Sequence, residues 1–332
     1  MKTYTKENHL RNKWVKLICG ASNEDIASIE DLCAIYTAAG VDYIDIAADP
    51  SVARAARNGM NWSKQNFGNQ PGLMISISDG KDIHFRKAKF DPLKCPIDCS
   101  RPCERICPTS AITKKGINET KCYGCGRCIT SCPLNLISEY EYGISNNFLK
   151  DILIDISPDA VEIHTEIERQ DNFKEISRII KDSGIKLQKI SVSCGLAQSN
   201  AMPIDLSKTF WERYEILSEH KVSLIWQLDG RPMSGDLAPT TAKAAINLLE
   251  NMNGLLPPGL IQLAGGTNEN TYKLIKNNII PDGIAFGGVA RKLVKPFIDY
   301  ANKSNKKIYE IPEIMSIAVK KAKSLINPWK IN

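Results

Sequence analysis

The sequence predicts an α/β protein in which a (β/α)8 TIM-barrel-like domain carries a smaller, inserted α+β domain. Short apolar runs alternate with longer amphipathic stretches, the pattern of parallel strands covered by helices. Eight such pairs can be counted in the 332 residues, interrupted once by a cysteine-rich segment. The sequence that remains without that segment approaches the roughly 250 residues usual for a barrel of this type.

The predicted strands are short apolar runs that end beside small or polar residues. Eight parallel strands suit a closed barrel, although an open doubly wound sheet would show the same alternation. The expected strands are residues 14–19, 42–47, 73–78, 160–165, 187–194, 222–228, 260–264 and 283–286. The helices are expected at residues 24–39, 51–66, 146–156, 172–183, 205–220, 240–253, 268–277 and 289–301.

The domain limits follow from where the cysteine-rich segment interrupts this alternation. Residues 1–80 supply the first three strands, residues 81–143 form the insert, and residues 144–308 supply the other five strands. Residues 309–332 form an extension whose helix, expected at 311–325, packs outside the barrel. The insert therefore occupies the loop after the third strand, at the C-terminal face where barrels bind their ligands.

The second cysteine run of the insert has the C-x2-C-x2-C-x3-C-P spacing of bacterial ferredoxins. Its members are Cys122, Cys125, Cys128 and Cys132. Thiolates this close together surround one iron–sulfur cubane only if the backbone turns tightly, which Gly124 and Gly126 allow because they lack a Cβ. The spacing predicts a 4Fe-4S cluster in a ferredoxin-like domain.

The first cysteine run is more widely spaced, and its end repeats the end of the second run. Its members are Cys95, Cys99, Cys103 and Cys107, again followed by proline. The likeness of residues 107–112 to residues 132–137 indicates an internal duplication. In two-cluster ferredoxins the fourth cysteine of each run ligates the other cluster. We therefore expect Cys132 to join the first three cysteines of the first run, and Cys107 to join those of the second.

Two other uses of these cysteines fit the sequence less well. Structural zinc usually takes two short ligand pairs separated by a spacer, not four closely placed cysteines before a proline. Disulfides are disfavoured because no signal peptide is recognisable and the total of eleven cysteines is odd. We expect two 4Fe-4S clusters in a reducing compartment, with a 3Fe-4S form left open at the wider first site.

Composition and charge argue against two classes of partner. The apolar runs are shorter than a membrane span and are broken by charged residues. The net charge of +6 comes from scattered residues, without the stripe of basic and aromatic side chains typical of nucleic-acid binders. The sequence thus predicts a cytoplasmic protein that binds neither membrane nor nucleic acid.

Glycine pairs follow the seventh and eighth predicted strands, where barrels commonly bind phosphate. Their bare amides and the helix N-termini behind them suit an anion, either a small phosphorylated ligand or a flavin. The candidate binding residues are Gly265, Gly266, Thr267, Gly287, Gly288 and Arg291, with Asn268 and Lys292 as further donors. Tight turns and helix caps without any ligand would explain the same residues.

Other polar residues at the predicted barrel mouth do not identify a reaction. The loop 229–236 contains two aspartates and an arginine, which also suit an ordinary turn with a surface ion pair. Asp45, Asp49 and His164 are expected near the ends of the second and fourth strands. A lone histidine at a strand end is more often structural than catalytic, and the sequence names no general base.

Three further cysteines lie outside the insert. Cys33 falls in the first predicted helix, whereas Cys19 and Cys194 end the first and fifth predicted strands. Burial is the usual state of such cysteines. If any of them is reactive, we expect Cys19 and Cys194, because each would face the barrel mouth near the clusters.

The complete pattern resembles one known family. Barrel-like halves flank the two cysteine runs, followed by the sequences DGRPMSGD at residues 229–236 and FGG at residues 286–288. These features are similar to those of the LdpA, or light-dependent period, family of cyanobacterial iron–sulfur proteins. The resemblance implies redox sensing in circadian clock input, with clock-input or other signalling proteins as partners. It implies no enzymatic reaction.

Two hypotheses of function follow. In the first, a regulatory sensor changes the redox state of its two clusters and thereby alters a protein-binding surface. In the second, an iron–sulfur oxidoreductase passes electrons from the clusters to a flavin or phosphorylated substrate at the barrel mouth, since flavins exchange both one and two electrons. A plain electron carrier is disfavoured because roughly 250 residues of barrel exceed what carriage requires.

Overall fold

The computed structural model describes residues 13–20, 26–80, 86–107, 110–119, 121, 122, 124, 126–141, 146–196, 201–230, 240–275 and 279–330. Within these ranges the chain forms a closed barrel of eight parallel strands surrounded by helices, together with a small α+β insert. The predicted fold class is confirmed, and the open-sheet alternative is wrong.

The first part of the barrel alternates strand and helix. Its elements are β1 (Trp14–Ile18), α1 (Ile26–Ala39), β2 (Tyr43–Ala47), α2 (Pro50–Phe67) and β3 (Gly72–Ser78). The local sequence sets both ends of α2. Asp49 accepts hydrogen bonds from the amides of Ser51 and Val52 at its start, and Gly68 ends it with a left-handed φ of 78°. These caps satisfy backbone groups that a helix leaves unpaired.

The insert leaves the barrel after β3 and returns through an antiparallel strand pair. Its elements are β4 (Arg86–Lys89), α3 (Pro102–Ile106), β5 (Ile112–Thr113), β6 (Gly116–Ile117), α4 (Arg127–Ser131) and β7 (Ser138–Glu141). Arg86 in β4 lies opposite Glu141 in β7, so the two ends of the insert are neighbours. The expected limits at residues 81 and 143 fall in ranges that are not described, so they stay predictions.

The second part of the barrel continues the alternation. Its elements are α5 (Asn146–Ile156), β8 (Ala160–His164), α6 (Gln170–Asp182), β9 (Lys189–Cys194), α7 (Pro203–Leu217), β10 (Ser223–Asp229), α8 (Ala242–Asn251), β11 (Leu260–Ala264), α9 (Thr271–Leu274), β12 (Gly283–Phe286) and α10 (Gly288–Lys303). β12 pairs in parallel with β1, with Gly283 opposite Trp14, and this pairing closes the sheet. A Cβ at Gly283 would lie 2.0 Å from the Trp14 indole, so the closure requires glycine there.

One predicted helix is wrong in length. Residues 268–277 were expected to be helical, but α9 is a single turn of Thr271–Leu274. Asn268 explains the late start. Its side-chain oxygen accepts a hydrogen bond from the backbone amide of Asn270, and its backbone amide donates one to the Thr271 hydroxyl at 2.8 Å. Such local side-chain bonds offer the backbone an alternative to the helix.

The helix of the C-terminal extension is longer than expected, and it packs outside the barrel against α1 and α10. The last turn of its helix α11 (Pro312–Lys330) contains Trp329, which is 1% exposed. The Trp329 ring lies 6.5 Å from that of Phe286, and its carbonyl accepts from the amide of Lys13 at 3.0 Å. Lys330 also forms an ion pair with Asp42. The end of α11 therefore packs at the N-terminal face of the barrel.

The lower end of the barrel interior is apolar. A cluster inside the sheet contains Tyr43, Met74, Ala160 and Ile225, with Trp14 and Leu260 packed against it. A larger cluster lies outside the sheet, between the strands and the surrounding helices. This division fits alternation along each strand, with successive side chains facing the barrel interior or the helices. No helix in the described ranges combines the length and apolar character needed to cross a membrane.

Asp31 in α1 is a buried carboxylate with incomplete hydrogen bonding. Its Oδ1 accepts from the amide of Ile308 at 3.1 Å, whereas its Oδ2 has no partner among the described residues. Desolvation raises the pKa of Asp31 to about 6, although the Ile308 amide and Lys307 act in the opposite direction. The folded state therefore binds a proton more tightly than the unfolded state does.

We predict that Asp31→Asn increases the free energy of unfolding at pH 8 by about 1–3 kcal/mol, because it removes a buried charge. The gain should shrink as the pH falls from about 7 to 4, since the folded wild-type carboxyl is protonated before the unfolded one. Anaerobic urea denaturation at pH 8 and pH 5 measures both differences. Asp155→Asn, at an exposed position of α5, is the matched control. An equal gain at both pH values would contradict the prediction.

Candidate metal centre and barrel interior

The two cysteine runs of the insert fold alike. In each run a short helix carries the third cysteine, Cys103 in α3 and Cys128 in α4, and both residues are buried. Each helix begins after a residue in the left-handed conformation, Arg101 with a φ of 51° and Gly126 with a φ of 75°. The duplication inferred from the sequence thus recurs in the backbone.

The Cys-Pro ends of the runs also match. The Sγ of Cys107 accepts from the amide of Ala111 at 3.2 Å, and the Sγ of Cys132 accepts from the amide of Leu136 at 3.4 Å. The third residue after each cysteine has a φ of 51° in both runs. Backbone amides directed at cysteine sulfur are the outer-shell bonds that tune iron–sulfur clusters.

One cavity brings the fourth cysteine of the first run to the second run. Cys107, Cys122 and Cys128 line it together. The rest of its lining is small, apolar or glycine, apart from one arginine, and comprises Ala88, Ala111, Ile112, Ile117, Gly124, Gly126 and Arg127. We call these thiols, with Cys125 as expected fourth member, the inner group. Cys125 itself lies outside the described residues.

Cys132, the fourth cysteine of the second run, packs against the apolar cluster that contains Cys103 and raises the pKa of thiols of the first run. The pKa of the Cys95 thiol is raised by desolvation first, and also by Cys99 and Cys132. Desolvation likewise raises the pKa of Cys103, with Cys132 and Cys95 adding to the rise. We call Cys95, Cys99, Cys103 and Cys132 the outer group. Thiols that oppose one another's ionisation suit a cationic iron core, which stabilises all of them as thiolates.

A layer of polar side chains crosses the barrel interior above its apolar end. Lys16 in β1 is 0% exposed, donates a hydrogen bond to Glu162 in β8, and lies 3.5 Å from Asp45 in β2. Desolvation lowers the pKa of Lys16, but Glu162 and Asp45 outweigh it and the net shift is upward. Desolvation raises the pKa of Asp45 to about 6. The amine therefore remains protonated inside the barrel.

Glu162 is the centre of this layer. It accepts from the Ser191 hydroxyl at 2.9 Å and from the Gln227 amide at 2.8 Å, and its Oε1 lies 3.3 Å from Nε2 of His164. Desolvation raises the pKa of Glu162, but Lys16 and His164 outweigh it, so the net shift is downward. Glu162 is thus an ionised carboxylate with donors from β1, β8, β9 and β10.

The hydrogen bonds of this layer extend along the barrel axis. The Trp14 indole donates to Gln262 at 2.6 Å, and Gln262 donates to Gln227. Gln227 in turn donates to Asp229 at 3.2 Å, near the mouth. Ser193 also donates to Asp229. One network therefore connects the apolar end of the barrel to the residues at its rim.

The rim itself has two unlike sides. His164, Ser193 and Asp229 stand at the ends of the adjacent strands β8, β9 and β10. On the other side, the small residues Ala47, Ala264 and Gly287 end or follow β2, β11 and β12, whereas β1 ends with Ile18. Large branched side chains usually fill the interior of such a barrel. Such side chains are absent at Ala47, Ala264 and Gly287, where small residues stand above the polar layer.

The predicted residues near the second and fourth strands separate in the structure. Asp45 lies within the barrel and His164 at its rim, whereas Asp49 caps α2. The expectation for Cys19 is wrong, because its Sγ lies 3.8 Å from that of Cys33 in α1, on the helix side of the strand. Residues 231–236 of the aspartate-rich loop lie outside the described ranges.

Cys194 is also a poor candidate for reactivity. It is 3% exposed, and desolvation raises its pKa to about 12, with Asp229 adding to the rise. A thiol reacts as the thiolate, so this shift leaves Cys194 in its unreactive form at neutral pH. The preference for Cys194 as a reactive residue is therefore wrong.

The glycine pairs follow the adjacent strands β11 and β12, as expected. Gly265 and Gly266 have left-handed φ values of 65° and 90°, which favour glycine. The Thr267 hydroxyl donates to the carbonyl of Ala285 at 2.5 Å, and Arg291 donates to the carbonyl of Ile18 at 3.0 Å. Both side chains thus hold neighbouring backbone, and phosphate binding by these residues and by Gly287 and Gly288 stays a prediction.

Sequence reasoning missed the polar layer, although a signal for it was present. Near the centre of several apolar strands stands one polar residue, in segments such as WVKLI, YIDIA, AVEIH and LIQLA. The alternation of strands places these residues on one face. In a closed barrel that face is the interior, so Lys16, Asp45, Glu162 and Gln262 meet there.

We predict that Lys16→Met lowers the free energy of unfolding by about 3–5 kcal/mol, because it leaves the Glu162 carboxylate buried without its cation. The double variant Lys16→Met/Glu162→Gln should recover part of this loss, since Glu162 is then neutral and only Asp45, whose pKa is already raised to about 6, has lost its cation. Anaerobic urea denaturation measures both. Lys181→Met, which breaks the exposed pair with Glu219, is the control and should cost less than about 1 kcal/mol. Equal losses in Lys16→Met and the control would contradict the prediction.

Comparison with known proteins relates the cysteine-rich insert and the C-terminal part of the barrel to one family. A family model described as the LdpA Fe-S cluster-binding domain matches residues 95–143, and one described as the Light dependent period A C-terminal domain matches residues 152–328. The protein named Light dependent period A from Synechococcus elongatus is 39% identical over 326 residues, which cover 96% of this chain and 91% of that protein.

Other likenesses are narrower or more distant. An uncharacterized ferredoxin from Methanocaldococcus jannaschii is 39% identical over 59 residues, 17% of this chain and 36% of its own. The YdjI aldolase from Escherichia coli K12 has a TM-score of 0.47 at 8% identity, covering 97% of this chain and 94% of that one. An archaeal Rubisco has a TM-score of 0.39 at 10% identity, covering 94% and 66%. Structural likeness at this level does not bear on function.

Proposed function

The chain belongs to the light dependent period A family of iron–sulfur proteins, and from this membership we propose that it is a redox sensor with two 4Fe-4S clusters. Its role would lie in circadian clock input, as the name of its relative suggests. The partners would be clock-input or other signalling proteins. The matched cluster-binding domain supports the iron–sulfur chemistry. The geometry of the insert supports the proposed number and type of the clusters.

The observation that carries the proposal is the exchange of the fourth cysteines. Cys107 lines the cavity of the inner group, and Cys132 acts electrostatically on the outer group. Two separate sets of four thiolates result, once Cys125 is counted in the inner group. A ferredoxin-like arrangement holds one cubane in each set, and each cubane accepts or releases a single electron.

The position of the insert supports a sensing role. The insert departs from the end of β3 and returns before α5, so the proposed clusters would lie at the C-terminal face of the barrel. A change of cluster charge at that face acts on the surrounding loops through electrostatics. Loops at the C-terminal face of such barrels are the usual binding surface. The redox state of the insert would therefore alter what this face binds.

We predict that anaerobically purified protein contains about eight iron and about eight acid-labile sulfide per chain, with two paramagnetic clusters after dithionite reduction. Cys132→Ser should alter the same electron paramagnetic resonance signal as Cys95→Ser, and Cys107→Ser the same signal as Cys128→Ser. The exchange of fourth ligands requires this result. Cys194→Ser should leave both signals intact. Zinc without sulfide, or a Cys132→Ser effect shared with Cys128→Ser, would contradict the proposal.

One observation favours a second candidate function, an oxidoreductase whose clusters deliver electrons to a ligand in the barrel. The network from Lys16 to Asp229 places charged groups below a rim of small residues, which is an arrangement expected of a ligand site. The glycine pairs at Gly265 and Gly287 would hold the phosphate of a flavin or a phosphorylated substrate. Their position next to each other supports this reading.

Hydrogen–deuterium exchange and flavin analysis separate the two candidates. We predict that dithionite reduction changes amide exchange at the insert and the neighbouring barrel loops, and that acid denaturation releases no flavin. The sensor requires a surface that depends on redox state, whereas a flavin oxidoreductase requires the cofactor. Identical exchange in both redox states would count against the sensor. Stoichiometric flavin in the supernatant would favour the oxidoreductase.

A further inference from the structure

Lys87 is a buried cation bonded to a residue that closely precedes Cys122 of the inner group. It lies in β4 and is 8% exposed, although Lys89 on the same strand is exposed. Its amine donates a hydrogen bond to the carbonyl of Glu119. The Glu119 carboxylate accepts from the Tyr140 hydroxyl at 2.7 Å, so the segment leading to Cys122 is held in place. The position of the amine is therefore fixed from two neighbouring segments.

The surroundings of Lys87 link it to the inner thiols. The Glu119 carbonyl to which the amine donates lies three residues before Cys122, whose own amide donates to the carbonyl of Asn118 at 3.1 Å. Desolvation lowers the pKa of Lys87, while Cys122 acts in the opposite direction by favouring its charged form. The interaction is thus between a largely buried ammonium group and an inner-group sulfur.

The outer group lies in a different environment. Its first cysteine, Cys95, stands in sequence between two side chains that project into water, with Leu93 94% exposed and Ile97 100% exposed. The cation that acts on Cys95 is Arg101, which is only partly buried. Water screens charges near exposed side chains, whereas a charge in a water-poor setting acts more strongly. The duplicated sites therefore differ most in their electrostatic surroundings.

We propose that Lys87 separates the reduction potentials of the two clusters by stabilising the reduced state of the inner one. The proposal rests on the two-cluster function inferred above. Reduction adds one electron, and hence one negative charge, to a cluster that already carries thiolate charge. A fixed cation beside the inner thiolates lowers the free energy of that reduced state more than that of the oxidised state. The potential of the inner cluster is raised accordingly.

Asp49 gives Lys87 a second role as a link to the barrel. Its carboxylate, held by the amides of Ser51 and Val52 at 2.7 and 3.2 Å, interacts electrostatically with Lys87. Asp49 stands at the barrel mouth, between the end of β2 and the start of α2. A charge of the barrel domain therefore acts on the cation that we propose to tune the inner cluster. The potential of that cluster then depends on charges from both domains.

The test is an anaerobic redox titration of the full-length protein, followed by electron paramagnetic resonance. Lys87→Met should shift the midpoint potential of one cluster to a more negative value and leave the other unchanged. Lys87→Arg keeps the positive charge, so the midpoint potential of that cluster should stay close to the wild-type value. Lys89→Met removes an exposed cation from the same strand and should change neither potential.

A second variant tests the same idea with the opposite sign. Asp49→Asn keeps a good helix N-cap while removing the negative charge, so it should shift the same cluster to a more positive potential. This arm stands even if Lys87→Met fails to fold. If both variants, Lys87→Met and Asp49→Asn, contain their clusters and the potentials are unchanged, the inference about Lys87 is wrong. The proposed function is unaffected by that result. Wild-type protein without two clusters would instead overturn the proposed function.

Discussion

The antiparallel pairing of β4 with β7 is the constraint on which the combination of two domains depends. A closed barrel tolerates a long insertion only where the chain leaves and returns at nearly the same place, because β3 and β8 must remain hydrogen-bonded neighbours. The pairing of Lys89 with Ser138 and of Arg86 with Glu141 meets that requirement. The cluster domain can then differ in fold from the barrel without straining it, and it remains over the C-terminal face.

The barrel interior suggests that this domain is more than a support. Burying ions is unfavourable unless each is paired and hydrogen-bonded, and an apolar interior would give comparable stability more simply. The chain nevertheless places Lys16 and Glu162 in the centre, and it supports them with serine, glutamine and histidine side chains. Buried polar residues that lower the stability of a protein are typical of binding sites. The barrel interior is therefore the candidate site for a ligand whose binding is coupled to the iron–sulfur insert.

Much of the fold could be predicted because the signals were local and periodic. The eight barrel strands lie within two residues of their expected positions, since apolar runs bounded by turns mark strands well. The polar layer could not be predicted with the same ease, because it depends on which face of each strand points inward. The same uncertainty explains Cys19, whose side chain lies on the opposite face from Lys16. The short α9 depended on the particular bonds of Asn268, which no periodic pattern reveals.

The packing of α11 has a practical consequence for electrochemistry. Trp329 and Lys13 meet at the N-terminal face, whereas the insert departs from the opposite end of the strands. A barrel strand of five residues spans roughly 15 Å, so at least that thickness of protein separates the two faces. A molecule attached to an electrode through a site near Trp329 would hold its iron–sulfur insert away from the electrode surface, with the barrel in between. Anchoring through the insert side would be required for direct voltammetry.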